Sequence, residues 1–121
     1  MKMDERVRRA RFTAVAKART VADLQTAIAT MERSTSALTQ FVAAEERRTR
    51  IVSRSHVTYS LSAKDAADRS YRLRKTVADL TTKLHVAIIE RDSAVAHVAT
   101  LEVMLEKSPS SRSENFSVPR N

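Results

Sequence analysis

Three histidines, a cluster of four arginines and a Glu-Glu-Arg-Arg run are the residues of this 121-residue chain whose chemistry could do something specific. His56, His85 and His97 do not stand at i and i+4 on one helix face, the spacing that would let two imidazoles share a metal ion, so they read as solvent-facing side chains and no metal site is expected. Arg6, Arg8, Arg9 and Arg11 could grip phosphates or carboxylates, yet no interleaved aromatic residues accompany them, and that argues against nucleic-acid recognition. Glu45 and Glu46 followed by Arg47 and Arg48 read as a solvated helix face with pairing at i, i+4. Catalysis is not expected. The chain has no Cys for a thiol nucleophile and no Gly for a phosphate-cradling loop, and no cofactor or small-molecule substrate is implied. A last group, Phe41, Ile51, Val57, Tyr59 and Leu61, gathers apolar side chains near one stretch of the chain; some must close the structure there, and the surplus suits a partner surface.

These residues must be positioned by helices. Apolar residues recur in sevens at Val7, Ala14, Val21, Ile28 and Val42, and three places on at Ala10, Leu24, Met31 and Leu38; Lys17 and Thr35 interrupt this seam. A second seam runs through Ala66, Leu73, Leu80, Ala87, Ala94 and Leu101 with Val77, Leu84, Val98 and Leu105, interrupted by Ser70 and Arg91. Between them Ile51 to Ser60 is β-branched and Ser-rich, a composition that lowers helix propensity and lets side chains compete for backbone hydrogen bonds. The expectation is an all-α chain, a long antiparallel two-helix coiled-coil hairpin, with helices over about 4–50 and about 61–107 joined by a turn over about 51–60. Asp4 suits a helix N-terminus, Ser62 with Asp65 resembles a weak capping box for the second helix, and Ser108-Pro109 stops it. Residues 108–121, Ser-rich with two prolines, read as a disordered tail. Antiparallel pairing sets Val7 against Leu101, Leu24 against Leu84 and Ile28 against Leu80. It also sets Lys17 against Arg91, which calls for snorkelling or a carboxylate partner in that zone.

Composition supports one domain with little core, since five aromatic residues and many seam alanines bury only a narrow strip. Such a protein works by touching other proteins. No apolar run approaches the ~20 residues needed to cross a bilayer, and the basic stretch from Lys2 to Arg11 has no hydrophobic segment behind it, unlike a secretory signal. The net charge of +8 is unevenly spread. Residues 1–20 and 47–75 are strongly basic, whereas 21–46 and 76–106 are acidic overall. Folding at the break predicts a rod with a basic tip, an acidic waist and a basic base, where a nucleic-acid binder would gather its positive charge on one continuous face.

The run Val21-Ala22-Asp23-Leu24 with Ile28 and Glu32, then Ala43 to Thr49, then His56 and Tyr59 ahead of Ala63-Lys64, resembles the flagellar export protein FliJ family of alphaproteobacterial type over roughly residues 7 to 105. The sequence departs from that pattern at Ser53-Arg54-Ser55, where relatives tend to carry Asp-Pro. The resemblance implies a non-enzymatic stalk in the pore of the hexameric flagellar type III export ATPase, reaching the cytoplasmic domain of the export gate. It implies a cytoplasmic protein at the inner membrane of the flagellar base, membrane-associated through its partners. On that reading Arg6, Arg8, Arg9 and Arg11 bind the ATPase ring, while a tip of Phe41, Arg48, Ile51, His56 and Tyr59 binds the gate. The readings from other classes are a basic coiled coil that binds nucleic acid or an anionic membrane surface, and a self-associating coiled-coil scaffold.

Paired seams over so thin a core predict that the isolated protein is an extended, mostly helical monomer or weak dimer. Small-angle scattering checks this, and a compact, near-spherical particle would exclude the hairpin.

Overall fold

The computed structural model describes residues 2–107, and two helices account for most of them: α1 (Met3–Thr49) and α2 (Leu61–Lys107). Neither helix contains Gly or Pro, so nothing in their interiors removes a backbone donor or adds backbone entropy. Asp4 and Glu5 occupy the first turn of α1 and Arg47 and Arg48 its last, which matches the helix dipole at both ends. Threonine hydroxyls inside the helices return their hydrogen to the carbonyl one turn back, as Thr20 does to Ala16 and Thr81 to Val77. Thr35 does the same to Met31 at 2.9 Å, so its polar atom sits in the seam without going unmatched. The expected stop at Ser108-Pro109 and the expected tail lie outside the described residues.

The two helices pack antiparallel, and burial follows the expected sevens. Each position of both seams is buried or partly buried, including the interruptions at Lys17, Thr35, Ser70 and Arg91. Packing falls into two compact units, one holding the chain up to Ala22 together with His85 onward, the other Asp23–Leu84. In a two-helix pair each level touches only what lies opposite, so packing is local and no central core ties distant levels together.

In the first unit Val7, Ala10 and Leu101 are buried together, with Met3, Val98 and Leu105 against them, as the expected Val7–Leu101 register requires. The like-charge pair expected at Lys17 and Arg91 is resolved by carboxylates. Lys17 Nζ reaches Glu90 at 3.7 Å, and Arg91 turns to Asp92 at 3.0 Å. Both pairs are partly exposed, each contributing about 0–1 kcal/mol, and the Lys17–Glu90 pair joins the two helices while Arg91–Asp92 lies within α2.

In the second unit the interior consists of Val42, Tyr59, Ala63, Ala66 and Ala67, with Leu38 and Ile51 packed on it. Ala63 is fully excluded from solvent and Ser70, at 1 % exposure, accepts a hydrogen bond from Arg74 at 2.9 Å. Small side chains over this stretch of α2 let it lie close to α1.

The connection between the helices turns without glycine. Thr49 closes α1 with its hydroxyl, which donates to Glu45 O at 3.0 Å and accepts the Ile51 N–H at 3.4 Å, while Arg50 takes the left-handed conformation with φ of 60°. Two successive tight turns follow, His56 N–H to Ser53 O at 3.1 Å and Tyr59 N–H to His56 O at 3.0 Å. The cap of α2 is Ser60 and not Ser62: the Ser60 hydroxyl accepts the Ala63 N–H at 3.2 Å, and the Ser60 carbonyl receives the first helical bond from Lys64. Ser62 lies one residue inside the helix because the earlier serine satisfies the free amides first.

A left-handed residue with a Cβ costs about 1 kcal/mol that glycine does not incur. Arg50→Gly is therefore expected to stabilise the fold by up to about 0.5 kcal/mol after its greater chain entropy is allowed for. Thermal unfolding should show a midpoint up to a few degrees higher, and a lower midpoint would contradict the role given to this residue.

Candidate functional site

The arginine cluster lies in the first unit, on the opening turns of α1. Arg6, Arg8, Arg9 and Arg11 are all exposed. Helical geometry turns each residue by 100°, so the four point around much of the helix. They do different things. Arg6 and Arg9, with Ala10 and Thr13 of α1 and Ala94, His97 and Leu101 of α2, line an open groove of about 300 Å³, apolar at its floor and cationic at its rim. Arg8 and Arg9 line a second, shallower depression of about 360 Å³ with Glu5 and the exposed Phe12. Arg11 is engaged already: its Nε donates to Glu102 of α2 at 3.1 Å, and its terminal nitrogen pairs with the same carboxylate. Three guanidinium groups thus face outward, each with a flat fork of N–H donors suited to carboxylate or phosphate oxygens.

The expected tip set lies in the second unit and divides into inward and outward members. Tyr59 is only 7 % exposed and its hydroxyl donates to Glu46 at 2.7 Å, while Ile51 packs on the same interior. These two close the hairpin. Replacing them with alanine would read out folding of the connection, at about 3 kcal/mol for the buried ring, before it read out any partner. Phe41 and Arg48 are exposed on α1, and His56 is exposed in the connection, where its Nδ1 accepts the Thr58 N–H at 3.1 Å. The most exposed apolar side chains here are Val52 and Val57 of the connection and Leu61, the first residue of α2. Val52 was not among the residues expected there.

The Glu45-Glu46 pair also differs from its expected role as a solvated face. Glu45 accepts two hydrogen bonds from Arg48 at 3.0 Å each and a third from the Ser60 hydroxyl at 2.9 Å, so one carboxylate ties the end of α1 to the cap of α2. Glu46 takes the Tyr59 hydroxyl. The Arg48 bonds, then the Ser60 bond, hold the Glu45 carboxyl down to about 2 from its ordinary 4.5. The Tyr59 phenol is pushed up, first by its hydrogen bond to Glu46 and then by burial. The signal that could have located this latch is the heptad frame itself. Continued past Val42, it places Glu45 at the next seam position and Thr49 at the one after, so both point toward the partner helix.

His85 and His97 are exposed on α2, and among the described residues no group of three or more His, Asp or Glu side chains is placed to hold a metal ion. Among those residues, too, no helix is long and apolar enough to cross a membrane. No family model, curated protein or solved structure matches the chain.

The depressed Glu45 carboxyl makes a pH prediction whose sign follows from linkage. An acid with a folded-state pKa below its unfolded value contributes stability that is complete above about 4.5 and is lost as pH falls toward about 2. The connection should therefore keep its order at pH 4 and lose it near pH 2, whereas Glu45→Gln should remove that dependence. A carboxyl-carbon NMR titration of Glu45 reads it directly, and a midpoint at the ordinary 4.5 would contradict the latch.

Proposed function

We propose that this protein is a non-enzymatic helical stalk or adaptor of the flagellar type III protein export ATPase, coupling the ATPase ring to the export gate. The observation that carries the reading is the outward spread of Arg6, Arg8 and Arg9 around α1, while Arg11 is held by Glu102. A flat partner needs one charged stripe. A ring that encloses a helix meets charge on several sides, and acidic loops lining its pore would find a guanidinium at each approach. The resemblance of residues 7 to 105 to the FliJ family supplies the identity of that ring, and two long antiparallel helices suit a stalk.

On this reading the chain contributes binding energy and no covalent step. Seating the arginines biases the ATPase subunits toward assembly and turnover. The outward members of the tip set, Phe41, Arg48 and His56, meet the cytoplasmic domain of the export gate. The protein then resides in the cytoplasm against the inner membrane at the flagellar base.

Arg6→Glu, Arg8→Glu and Arg9→Glu combined should abolish stimulation of the partner ATPase while circular dichroism stays helical. Arg11→Ala should leave most of the stimulation, since that side chain is already paired within the chain. Stimulation by the unaltered protein should fall as salt rises, because exposed charges are screened within ~10 Å at 0.1 M. A helical triple-Glu variant that still stimulates fully would refute the ring contact.

A further inference from the structure

We infer that the connection between α1 and α2 is a docking surface for an anionic lipid bilayer, with Val52, Val57 and Leu61 entering the headgroup boundary and the basic residues around them meeting lipid phosphates. This goes beyond the ATPase reading and does not depend on it.

The first observation is an uninterrupted excess of positive charge. From Arg47 to Lys64 the chain carries Arg47, Arg48, Arg50, Arg54 and Lys64 and no acidic residue. Of the flanking carboxylates, Glu45 is paired with Arg48 and Ser60, Glu46 takes the Tyr59 hydroxyl, and Asp65 follows Lys64 on the exposed side of α2, so the excess positive charge rests on Arg47, Arg50, Arg54 and Lys64. Arg47, Arg50, Arg54 and Lys64 are exposed, and among the described residues neither Arg47, Arg50 nor Lys64 lies within 4.0 Å of a carboxylate oxygen.

The second is that exposed aliphatic side chains share this short segment. Val57 is 96 % exposed, Leu61 82 % and Val52 73 %, while Ile51 and Tyr59 are directed into the interior and already supply its closure. The outward three are therefore not required to plug the hairpin. The third concerns the backbone, whose polar groups resist entry into lipid unless satisfied. Three amides near Val57 are satisfied: His56 N–H bonds Ser53 O, Tyr59 N–H bonds His56 O and Thr58 N–H bonds His56 Nδ1.

Lipid suits this surface better than a protein pocket does. A protein hot spot concentrates Trp, Tyr or Arg anchors in a desolvated centre, but the tyrosine here faces inward and the outward apolar groups are aliphatic, Val52 and Val57 on the irregular connection and Leu61 at the start of α2. Aliphatic insertion with a basic patch is the two-signal arrangement that holds a protein on an anionic surface, where either signal alone is weak.

The test uses the full chain floated through a density gradient with phosphatidylcholine vesicles or with mixed phosphatidylglycerol–phosphatidylcholine vesicles. Flotation is expected with the anionic vesicles alone, falling as salt rises. Arg47→Gln, Arg50→Gln and Lys64→Gln combined should weaken partitioning about a hundredfold, at about fivefold for each charge held near the surface. Val52→Ser, Val57→Ser and Leu61→Ser combined should weaken it at least about tenfold. All six positions are exposed or outside the seams, and helicity serves as the folding control. Equal flotation with neutral vesicles overturns the inference. So does flotation that follows the Arg6, Arg8 and Arg9 substitutions, or a serine variant that floats unchanged and instead loses binding to an export-gate domain.

Discussion

A chain with no glycine has reversed its direction here, and the hydrogen bonds of two adjacent carboxylates make that possible. Glu45 joins the last turn of α1 to the Ser60 cap of α2, and Glu46 fixes the Tyr59 ring beneath the turn. Without them the left-handed Arg50 and the two tight turns after it would be one of many arrangements open to a Ser-rich segment. With them, Tyr59 and Ile51 close on Val42 and Ala63 within their own unit.

The helices were legible in the sequence because burial repeats where apolar residues do, and seven-residue spacing survives interruptions. Lys17, Thr35, Ser70 and Arg91 occupy seam positions, as their numbering requires, and each finds a local partner: Glu90, the Met31 carbonyl, Arg74 and Asp92. What the sequence concealed is the part governed by single hydrogen bonds. Ser60 and Ser62 are equivalent as letters, and the bonds Ser60 makes to the Ala63 amide and to Glu45 distinguish them. Arg50 carries no mark of a positive φ, since glycine is the usual sign and is missing.

The candidate contact residues were half legible for the same reason. Charge can be counted from the sequence, so the basic stretches were visible, but whether a charge is free depends on the other helix. Arg11 is lost to Glu102, ninety-one residues away, and no local pattern announces it. Tyr59 and Val57 are near neighbours of opposite exposure, and in an irregular segment no period predicts which side chain turns inward. In the acid-free run from Arg47 to Lys64, the sequence does not show that Glu45 is taken up by Arg48 and Ser60 and Glu46 by Tyr59.

The alanine-lined approach of α2 near the connection bears on how this gene can drift over generations. Ala63 has no contact with solvent and its neighbours Ala66, Ala67 and Ser70 have almost none, so any inherited change there that adds a methyl group must push the helices apart. Val86, Ile89 and Val95, all well exposed on the same helix, carry no such restriction. Divergent copies of the gene should thus differ first in their outward aliphatic codons and keep alanine or serine at these four positions. The stretch that looks least informative as text, small residues with little chemistry, is the one where lineage should leave the fewest marks.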